Sequence, residues 1–216
     1  MKVGTDGVLL GAWVNVSGAS GILDIGTGTG LISLMLAQRS NALIDAVEID
    51  TPSAGQASEN VANSVWSDRI RIFNTSFRDF YHSSENSYDL IISNPPFFSR
   101  SLKAPDPARS TARHDDGLSR ADLFKGVAKM LAKNGVFALI LPYNINIETI
   151  SLAKENNLFP ARILKVKPSP GKNYHRVLLE FSAVNSEPAE EEMTIETGTR
   201  HQYSEEYTRL TKDFYL

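Results

Sequence analysis

The sequence predicts an α/β fold, a doubly wound sheet of seven strands that ends in an antiparallel hairpin. Short apolar runs typical of buried strands alternate with helical patterns along most of the 216 residues. The first strand leads directly into a glycine-rich loop and a helix, in residues 21–37. Two strand-like runs, residues 162–167 and 176–181, flank a Pro-Ser-Pro-Gly turn. A sheet of this kind binds its ligand at the edge where the parallel strands end.

The composition is that of a globular domain, with 42% hydrophobic and 22% charged residues and a net charge of -3. Because the chain has no cysteine, a disulfide framework, a cysteine nucleophile and a Cys-ligated zinc are excluded. The histidines show no metal-binding spacing, so we expect no metal site. No apolar run is long enough to span a bilayer and the N-terminus lacks a signal-peptide pattern, so we expect a cytoplasmic protein without a membrane partner.

A single domain is predicted over residues 1–216. Residues 1–20 read as a loop followed by an apolar helix with Thr5 or Asp6 as N-cap. Residues 185–216 read as an extension packed on the body: a Pro/Glu-rich linker over 185–192, then an aromatic-rich helix after Ser204. The abrupt start at Met1 predicts that natural sequence precedes it.

The glycine-rich loop follows an acidic residue at the end of the first strand, Asp24, and its members are Gly26, Thr27, Gly28 and Gly30. Glycines at alternate positions let the backbone turn tightly and let a ligand lie directly on it. The spacing differs from the Gly-x-Gly-x-x-Gly pattern that holds a dinucleotide pyrophosphate. It suits S-adenosylmethionine (SAM), which has no phosphate and whose ammonium group a carboxylate can meet.

The second and third strands end in further candidate cofactor-binding residues. Glu48 stands 24 residues after Asp24, where a doubly wound fold places the carboxylate that accepts from both ribose hydroxyls. Ile49 follows it in the same nucleoside site. After residues 69–76, Ser76 and Phe77 lie where the adenine of a nucleoside would bind, with Phe77 against the ring and Ser76 or Asp79 at its amine. A core aromatic and a polar loop are the alternative interpretation of these residues.

The fourth strand, residues 88–93, runs into Asn94-Pro95-Pro96-Phe97. The prolines end the strand because they carry no N–H for the sheet, and each holds the preceding residue extended. The Asn94 amide and the Pro95 carbonyl are therefore held in fixed directions beside an aromatic ring. That combination suits a planar amine on a flat ring.

A basic segment, residues 99–116, follows this motif. Through His114 it has four basic residues against one acidic residue, in a protein that is acidic overall. A long loop beside a strand end with candidate catalytic residues is itself a candidate phosphate-binding element. The basic residues are Arg100, Lys103, Arg109 and Arg113.

The Asp24–Gly30 loop, Glu48 and the Asn-Pro-Pro-Phe motif together resemble the SAM-dependent methyltransferases that modify amines conjugated to a planar system. Residues 1–13 and 210–216 resemble, more narrowly, the bacterial tRNA1(Val) (adenine-37-N6)-methyltransferase family. The resemblance covers essentially the whole chain. Proteins of this family usually carry a short segment before Met-Lys-Val-Gly, and its absence here bears on substrate binding and on the cofactor lid, residues 1–20 including Thr5.

This resemblance implies a class I, Rossmann-like methyltransferase with SAM as cofactor and the anticodon loop of tRNA as partner, acting as a monomer. Direct methyl transfer to a flipped-out adenine is implied. Asn94 and Pro95 would accept the N6 hydrogens, and Phe97, after Pro96, would stack on the base. A guanine-N2 RNA methyltransferase and a protein glutamine-N5 methyltransferase are enzymatic alternatives, although the latter more often has Tyr after the prolines. A SAM- or RNA-binding module without turnover is the alternative outside enzymes.

Overall fold

The computed structural model of the chain describes residues 4–95 and 118–214. Its helices and strands alternate along the chain as the sequence predicts. The helices are α1 (Thr5–Trp13), α2 (Leu31–Arg39), α3 (Thr51–Ala62), α4 (Phe77–Ser83), α5 (Arg120–Met130), α6 (Asn146–Glu155) and α7 (Glu205–Thr211). The strands are β1 (Gly21–Ile25), β2 (Leu43–Glu48), β3 (Ile70–Asn74), β4 (Tyr88–Ser93), β5 (Leu131–Pro142), β6 (Phe159–Lys167), β7 (Arg176–Ser182) and β8 (Ala189–Thr194).

The strands form one sheet in the order β3-β2-β1-β4-β5-β7-β6-β8. The strands from β3 through β5 are parallel, and β7 is antiparallel to both of its neighbours. The chain winds outward from β1 to β3 and then returns to the other side of β1 as β4. This reversal is a topological switch point, where a crevice opens beyond the carboxyl ends of the strands.

Both faces of the sheet are covered, and alternation along each strand supplies two separate cores. In β4, Leu90 and Ile92 join the core under α1 and α2, while Ile91 joins the core under α4 and α5. The same alternation in β1 places Ile22 on the first face and Leu23 on the second. An α/β doubly wound fold is confirmed.

The strand count is eight, because Ala189–Thr194 pairs in parallel with β6 as an edge strand. The prediction of a solvated linker over 185–192 is therefore wrong for its second half. Three Lys and Arg side chains of β6 pair with three glutamates of β8, at N···O distances from 2.6 to 3.4 Å, so a charged sequence is held in a ladder. Charge on an edge strand also discourages pairing with a further chain.

Two predicted boundaries also differ. α1 is preceded by Gly4, and neither Thr5 nor Asp6 acts as its N-cap. α5 ends at Met130, although the typical helix-stop pattern Asn-Gly comes only at Asn134-Gly135. Those two residues lie in β5, beside a register shift opposite Tyr88. None of the described helices is long and apolar enough to cross a membrane.

Gly126 in α5 allows a test of how closely α5 packs on α4. A Cβ there would lie 2.5 Å from Phe77 Cε1 and 2.6 Å from Tyr81 Cδ1, both on buried rings of α4. We expect Gly126→Ala to destabilise the protein by about 1–3 kcal/mol, since the rings must leave their packed positions. Each kcal/mol corresponds to a drop of roughly 2–4 °C in Tm for a domain of this size.

Gly55→Ala is the matched control, because Gly55 also lies within a helix but a Cβ there meets no atom within 4 Å. Alanine in a helix interior is favoured over glycine by about 0.8–1.0 kcal/mol, so this change should raise Tm. Equal Tm changes in the two variants would contradict the packing of α5 on α4.

Candidate active site

Three candidate residues lie side by side at the carboxyl edge of the sheet. Ile25 of β1 pairs with Val47 of β2 on one side and with Ser93 of β4 on the other. The residues that directly follow these three paired positions in the sequence are Gly26, Glu48 and Asn94. They therefore form a row across the switch point. The register of three parallel strands thus gathers groups that lie far apart in sequence.

The loop after β1 is shaped by glycines in the left-handed region, with φ of 72° at Gly26, 59° at Gly28 and 83° at Gly30. Side chains other than glycine rarely adopt such angles. The N–H groups of Gly26 and Thr27 both donate to the Val47 carbonyl, at 2.8 and 3.1 Å, which fixes the loop against β2. A Cβ at Gly26 or Gly28 would meet no atom of residues 4–95 or 118–214 within 4 Å, so this backbone borders space that the described residues leave open.

Asp24 is fully buried beneath this loop. Its Oδ2 accepts hydrogen bonds from Thr27 Oγ1 at 2.6 Å and Ser33 Oγ at 2.7 Å. Its Oδ1 is buried and has no hydrogen-bond partner among the described residues. Burial raises the pKa of Asp24, and the hydrogen bonds from Thr27 and Ser33 offset part of that rise. The described residues therefore hold one oxygen of Asp24 by hydrogen bonds and leave the other unpaired.

Glu48 joins the glycine loop to the end of β2. Its Oε2 accepts from the Gly28 N–H and its Oε1 from the Asp50 N–H, each at 2.8 Å. Both carboxylate oxygens are thus oriented by backbone donors, and each keeps further acceptor capacity. The residue is almost completely buried, whereas neighbouring Ile49 is 52% exposed at the mouth of the crevice.

The N-terminal end of α1 lies beside Asn94. A Cβ added to Gly7 would lie 3.9 Å from Asn94 Nδ2, so the helix backbone passes close to the amide. Asp6, in the first turn, accepts from Arg176 Nε of β7 at 2.8 Å. Farther along the helix, Arg39 of α2 donates to the Gly11 carbonyl at 2.6 Å. These contacts anchor α1 to strand β7 and to helix α2.

The remaining predicted residues occupy more varied surroundings. Thr5 is exposed in the first turn of α1. Ser76 caps α4, and its hydroxyl donates to Asp79 Oδ2 at 2.7 Å. Phe77 is buried and its ring lies 5.3 Å from that of Tyr81, in the core. Pairing of Ser76 and Phe77 with an adenine stays a prediction.

Several predicted residues lie outside the described part of the chain. They are Pro96, Phe97, Arg100, Lys103, Arg109 and Arg113. Pro95, in contrast, is described and is partly buried. Within residues 4–95 and 118–214 there is no cluster of three or more acidic or histidine side chains that could hold a metal ion.

Comparison with known proteins identifies the family. The model of the methyltransferase small domain family matches residues 6–158. A tRNA1(Val) (adenine(37)-N6)-methyltransferase from Bacteroides thetaiotaomicron is 50% identical, over 100% of this chain and 91% of its own length. This chain belongs to the tRNA1(Val) (adenine(37)-N6)-methyltransferase family. The resemblance noted in the sequence is thereby confirmed.

Solved structures of other methyltransferases share the fold of this family member. A predicted O-methyltransferase from Agrobacterium tumefaciens superposes with a TM-score of 0.76 at 18% identity, over 96% of each chain. An O-methyltransferase from a Brevibacillus brevis multienzyme, in complex with S-adenosyl-L-homocysteine, gives a TM-score of 0.54 at 19% identity, over 73% of this chain and 52% of that one. At these identities the likeness concerns the fold.

Sequence patterns missed two structural partners of the site. Ser33 lies in an apolar helix, and a lone hydroxyl on a buried face was its only signal. Arg176 opens a strand that reads as part of the terminal hairpin, and nothing in its neighbourhood points to Asp6, 170 residues earlier. Both contacts depend on tertiary structure.

Asp24→Asn tests the cost of burying this carboxylate. Burial holds the pKa of Asp24 in the folded protein above its ordinary value of 3.8. The free energy of unfolding is therefore highest below pH 3.8, where the carboxyl is protonated, and it falls as pH rises through the raised pKa. As pH rises above 3.8 and through the raised pKa of Asp24, the wild type should lose stability that the variant retains. Urea unfolding of the ligand-free proteins measures this difference.

The same variant should lose most of the thermal stabilisation given by S-adenosyl-L-homocysteine, corresponding to at least about tenfold weaker binding, because an amide lacks the charge that pairs with an ammonium group. Parallel pH curves together with unchanged ligand stabilisation would contradict both roles of Asp24.

The Asp6–Arg176 ion pair allows a double-mutant cycle. We expect a coupling energy of about 1 kcal/mol, at the upper end for surface pairs, because both side chains are largely buried at 28% and 23% exposure. Asp6→Asn should also weaken cofactor binding several-fold by loosening α1. The control is the Arg120–Glu148 pair, equally short at 2.8 Å but 44% and 69% exposed, for which we expect coupling near zero. Equal coupling in the two cycles would show that burial does not strengthen the anchor of α1.

Proposed function

We propose that this protein uses SAM to methylate N6 of an adenine in tRNA, at position 37 of tRNA1(Val). The row formed by the glycine loop, Glu48 and Asn94 at the switch point carries this proposal. Membership of the family, and the activity for which a relative that is 50% identical is named, support this choice of substrate. We infer a single-domain monomer that acts in the cytoplasm, where tRNA is found.

The described residues fit SAM as the cofactor. The free Oδ1 of Asp24 lacks a partner, as expected of an acceptor that waits for an ammonium group, directly or through water. Glu48 keeps acceptor capacity for ribose hydroxyls, and Ile49 provides exposed apolar surface beside it. The open space at Gly26 and Gly28 allows a ligand to lie on the backbone. When bound, SAM supplies an electrophilic methyl group.

Asn94 and Pro95 address the weak nucleophilicity of adenine N6. The lone pair of this amine is delocalised into the ring, and acceptors that hold its two hydrogens favour a more tetrahedral nitrogen. The amide oxygen of Asn94 and the carbonyl of Pro95 are such acceptors, and β4 with its following prolines fixes their position. No strong base is needed if the proton leaves after transfer. Positioning and electrostatics then provide most of the acceleration.

The RNA itself would be bound by residues of the Asn-Pro-Pro-Phe motif and the basic segment. A base in a stacked anticodon loop must be extruded, which costs a few kcal/mol. Stacking on Phe97 would offset this cost, because each base stacked on an aromatic ring contributes about 1–3 kcal/mol. Contacts from the basic segment to phosphates add a term that weakens with salt.

Two other enzymatic substrates share the chemical problem of a conjugated nitrogen. Guanine N2 and the side-chain amide of glutamine would use the same pair of acceptors. Nucleoside analysis of the product separates the first, since it reports which base carries the methyl group. Transfer to protein instead of RNA would identify the second.

The decisive experiment is transfer of labelled methyl from SAM to unmodified total tRNA, followed by nucleoside analysis. We expect N6-methyladenosine, and a fall in kcat of more than about a hundredfold for Asn94→Ala, because the acceptor acts on the transition state. Asn41→Ala is the control, an exposed asparagine before β2 at the opposite edge of the sheet. Normal turnover by Asn94→Ala would refute the mechanism, and cofactor binding without RNA labelling would refute the substrate.

A further inference from the structure

The carboxyl edge of the sheet extends well beyond the candidate active site. On the far side of β4 it includes the ends of β5 and β6, the start of β7 and the end of β8, because Pro142 and Val166 both pair with Arg176, and Lys167 pairs with Thr194. At about 4.8 Å between strands, β6 lies roughly 14 Å and β8 roughly 19 Å from β4. The glycine loop and Glu48 occupy the other half of the edge.

Two loops project from the half of the edge that is formed by β5, β6, β7 and β8. The β6–β7 loop, residues 168–175, is stiffened by two prolines and by Lys172 N–H donating to the Ser169 carbonyl at 3.2 Å. After β8, a tight turn over residues 196–203 is closed by Thr197 N–H donating to the Gln202 carbonyl at 2.8 Å. Backbone hydrogen bonds from Ile195 and Glu196 to residues 167 and 168 hold the two connections side by side.

Aromatic rings and a cation lie together at the base of these loops. Tyr143, just after β5, has its ring centroid 4.9 Å from that of Tyr174. The Nζ of Lys167 lies 4.6 Å from the centre of the Tyr174 ring. The Tyr143 N–H donates to the His175 carbonyl at 3.1 Å, which ties β5 to the β6–β7 loop. This pairing of rings with positive charge is common where proteins bind single-stranded nucleic acid.

The charges on this surface differ in availability. Lys165 and Lys167 are paired with Glu190 and Glu192 of β8, at 2.6 and 3.3 Å. Lys172 and Arg200, at the tips of the two connections, are exposed, and neither takes part in an ion pair within the described residues. These two cations share the edge with Glu196, whose side chain accepts from the His201 N–H at 3.0 Å.

We propose that this basic rim, consisting of Tyr143, Lys167, Lys172, Tyr174, His175 and Arg200, is a second RNA-binding surface that contacts the substrate outside the methylated base. The proposal rests on the proposed function for the identity of the RNA. Lys172 and Arg200 bind phosphates, and the Tyr143–Tyr174 pair packs against a ribose or an unstacked base. The rim shares no residue with the basic segment over residues 99–116.

Because phosphate contacts act through charge, the rim should contribute to affinity and not to the chemical step. We expect Lys172→Ala and Arg200→Ala each to weaken binding of total tRNA about three- to tenfold at 0.1 M salt. Each should also reduce the slope of log K against log salt concentration by about 1. The KM for SAM and the kcat at saturating tRNA should stay unchanged. Lys133→Ala is the control, since Lys133 is exposed near the start of β5, at the opposite edge.

Two substitutions of Tyr174 distinguish a contribution of ring stacking from a contribution of charge. Tyr174→Ala should weaken tRNA binding, whereas Tyr174→Phe, which keeps the ring and loses the hydroxyl that contacts Glu192, should bind as the wild type does. Binding is measured with S-adenosyl-L-homocysteine present and needs no turnover. If the wild type binds tRNA and the Lys172 and Arg200 variants match Lys133→Ala in affinity and salt slope, the rim is refuted.

The two proposals fail in different ways. Tight tRNA binding that depends on Lys172 and Arg200, without methyl transfer to any nucleoside, would support the rim and refute the reaction. Methyl transfer to tRNA that is insensitive to both substitutions would support the reaction and refute the rim. Absence of tRNA binding by the wild type would refute the rim.

Discussion

The parallel pairing of β1 with β2 and β4 is the constraint on which the site depends. One register places the glycine loop, Glu48 and Asn94 in a row, and a slip of one residue would turn each side chain to the other face. The fully buried core of each strand resists such a slip. Placing the acceptor amide and the carboxylates correctly is therefore a property of the whole sheet, and any substitution that loosens β1 should disturb cofactor and substrate binding together.

Much of the fold could be predicted because strand and helix periods are local. The alternation in β4 and the glycine loop after β1 are written in consecutive residues, and so is the strand end at Asn94. Strand β8 could not be recognised, because its glutamates are accommodated by Arg and Lys side chains of β6 that only the folded sheet brings opposite them. The helix end at Met130 was missed because Gly135 is a common stop signal that here lies within a strand.

The same distinction applies to the candidate site, where local sequence predicts some residues and not others. Residues at strand ends were found from spacing, whereas their supports were not: Ser33 fixes one oxygen of Asp24, and the Asp50 N–H orients Glu48. Such supports come from backbone groups and single hydroxyls that carry no pattern. Among the described residues, Oδ1 of Asp24 has no partner, and leaving a buried carboxylate oxygen unpaired costs stability. The ligand-free protein therefore keeps a destabilising feature.

The anchoring of α1 has a consequence for biosynthesis. This first helix of the chain is fixed by Arg176, 170 residues later, and packs on α7, the last described helix. A chain that emerges N-terminus first can pair β1 with β2 early, but the ion pair of Asp6 with Arg176 cannot form until β7 has been made. A nascent chain can therefore build its glycine loop before the helix beside Asn94 is secured, and competence for the reaction is among the last properties that the growing polypeptide acquires.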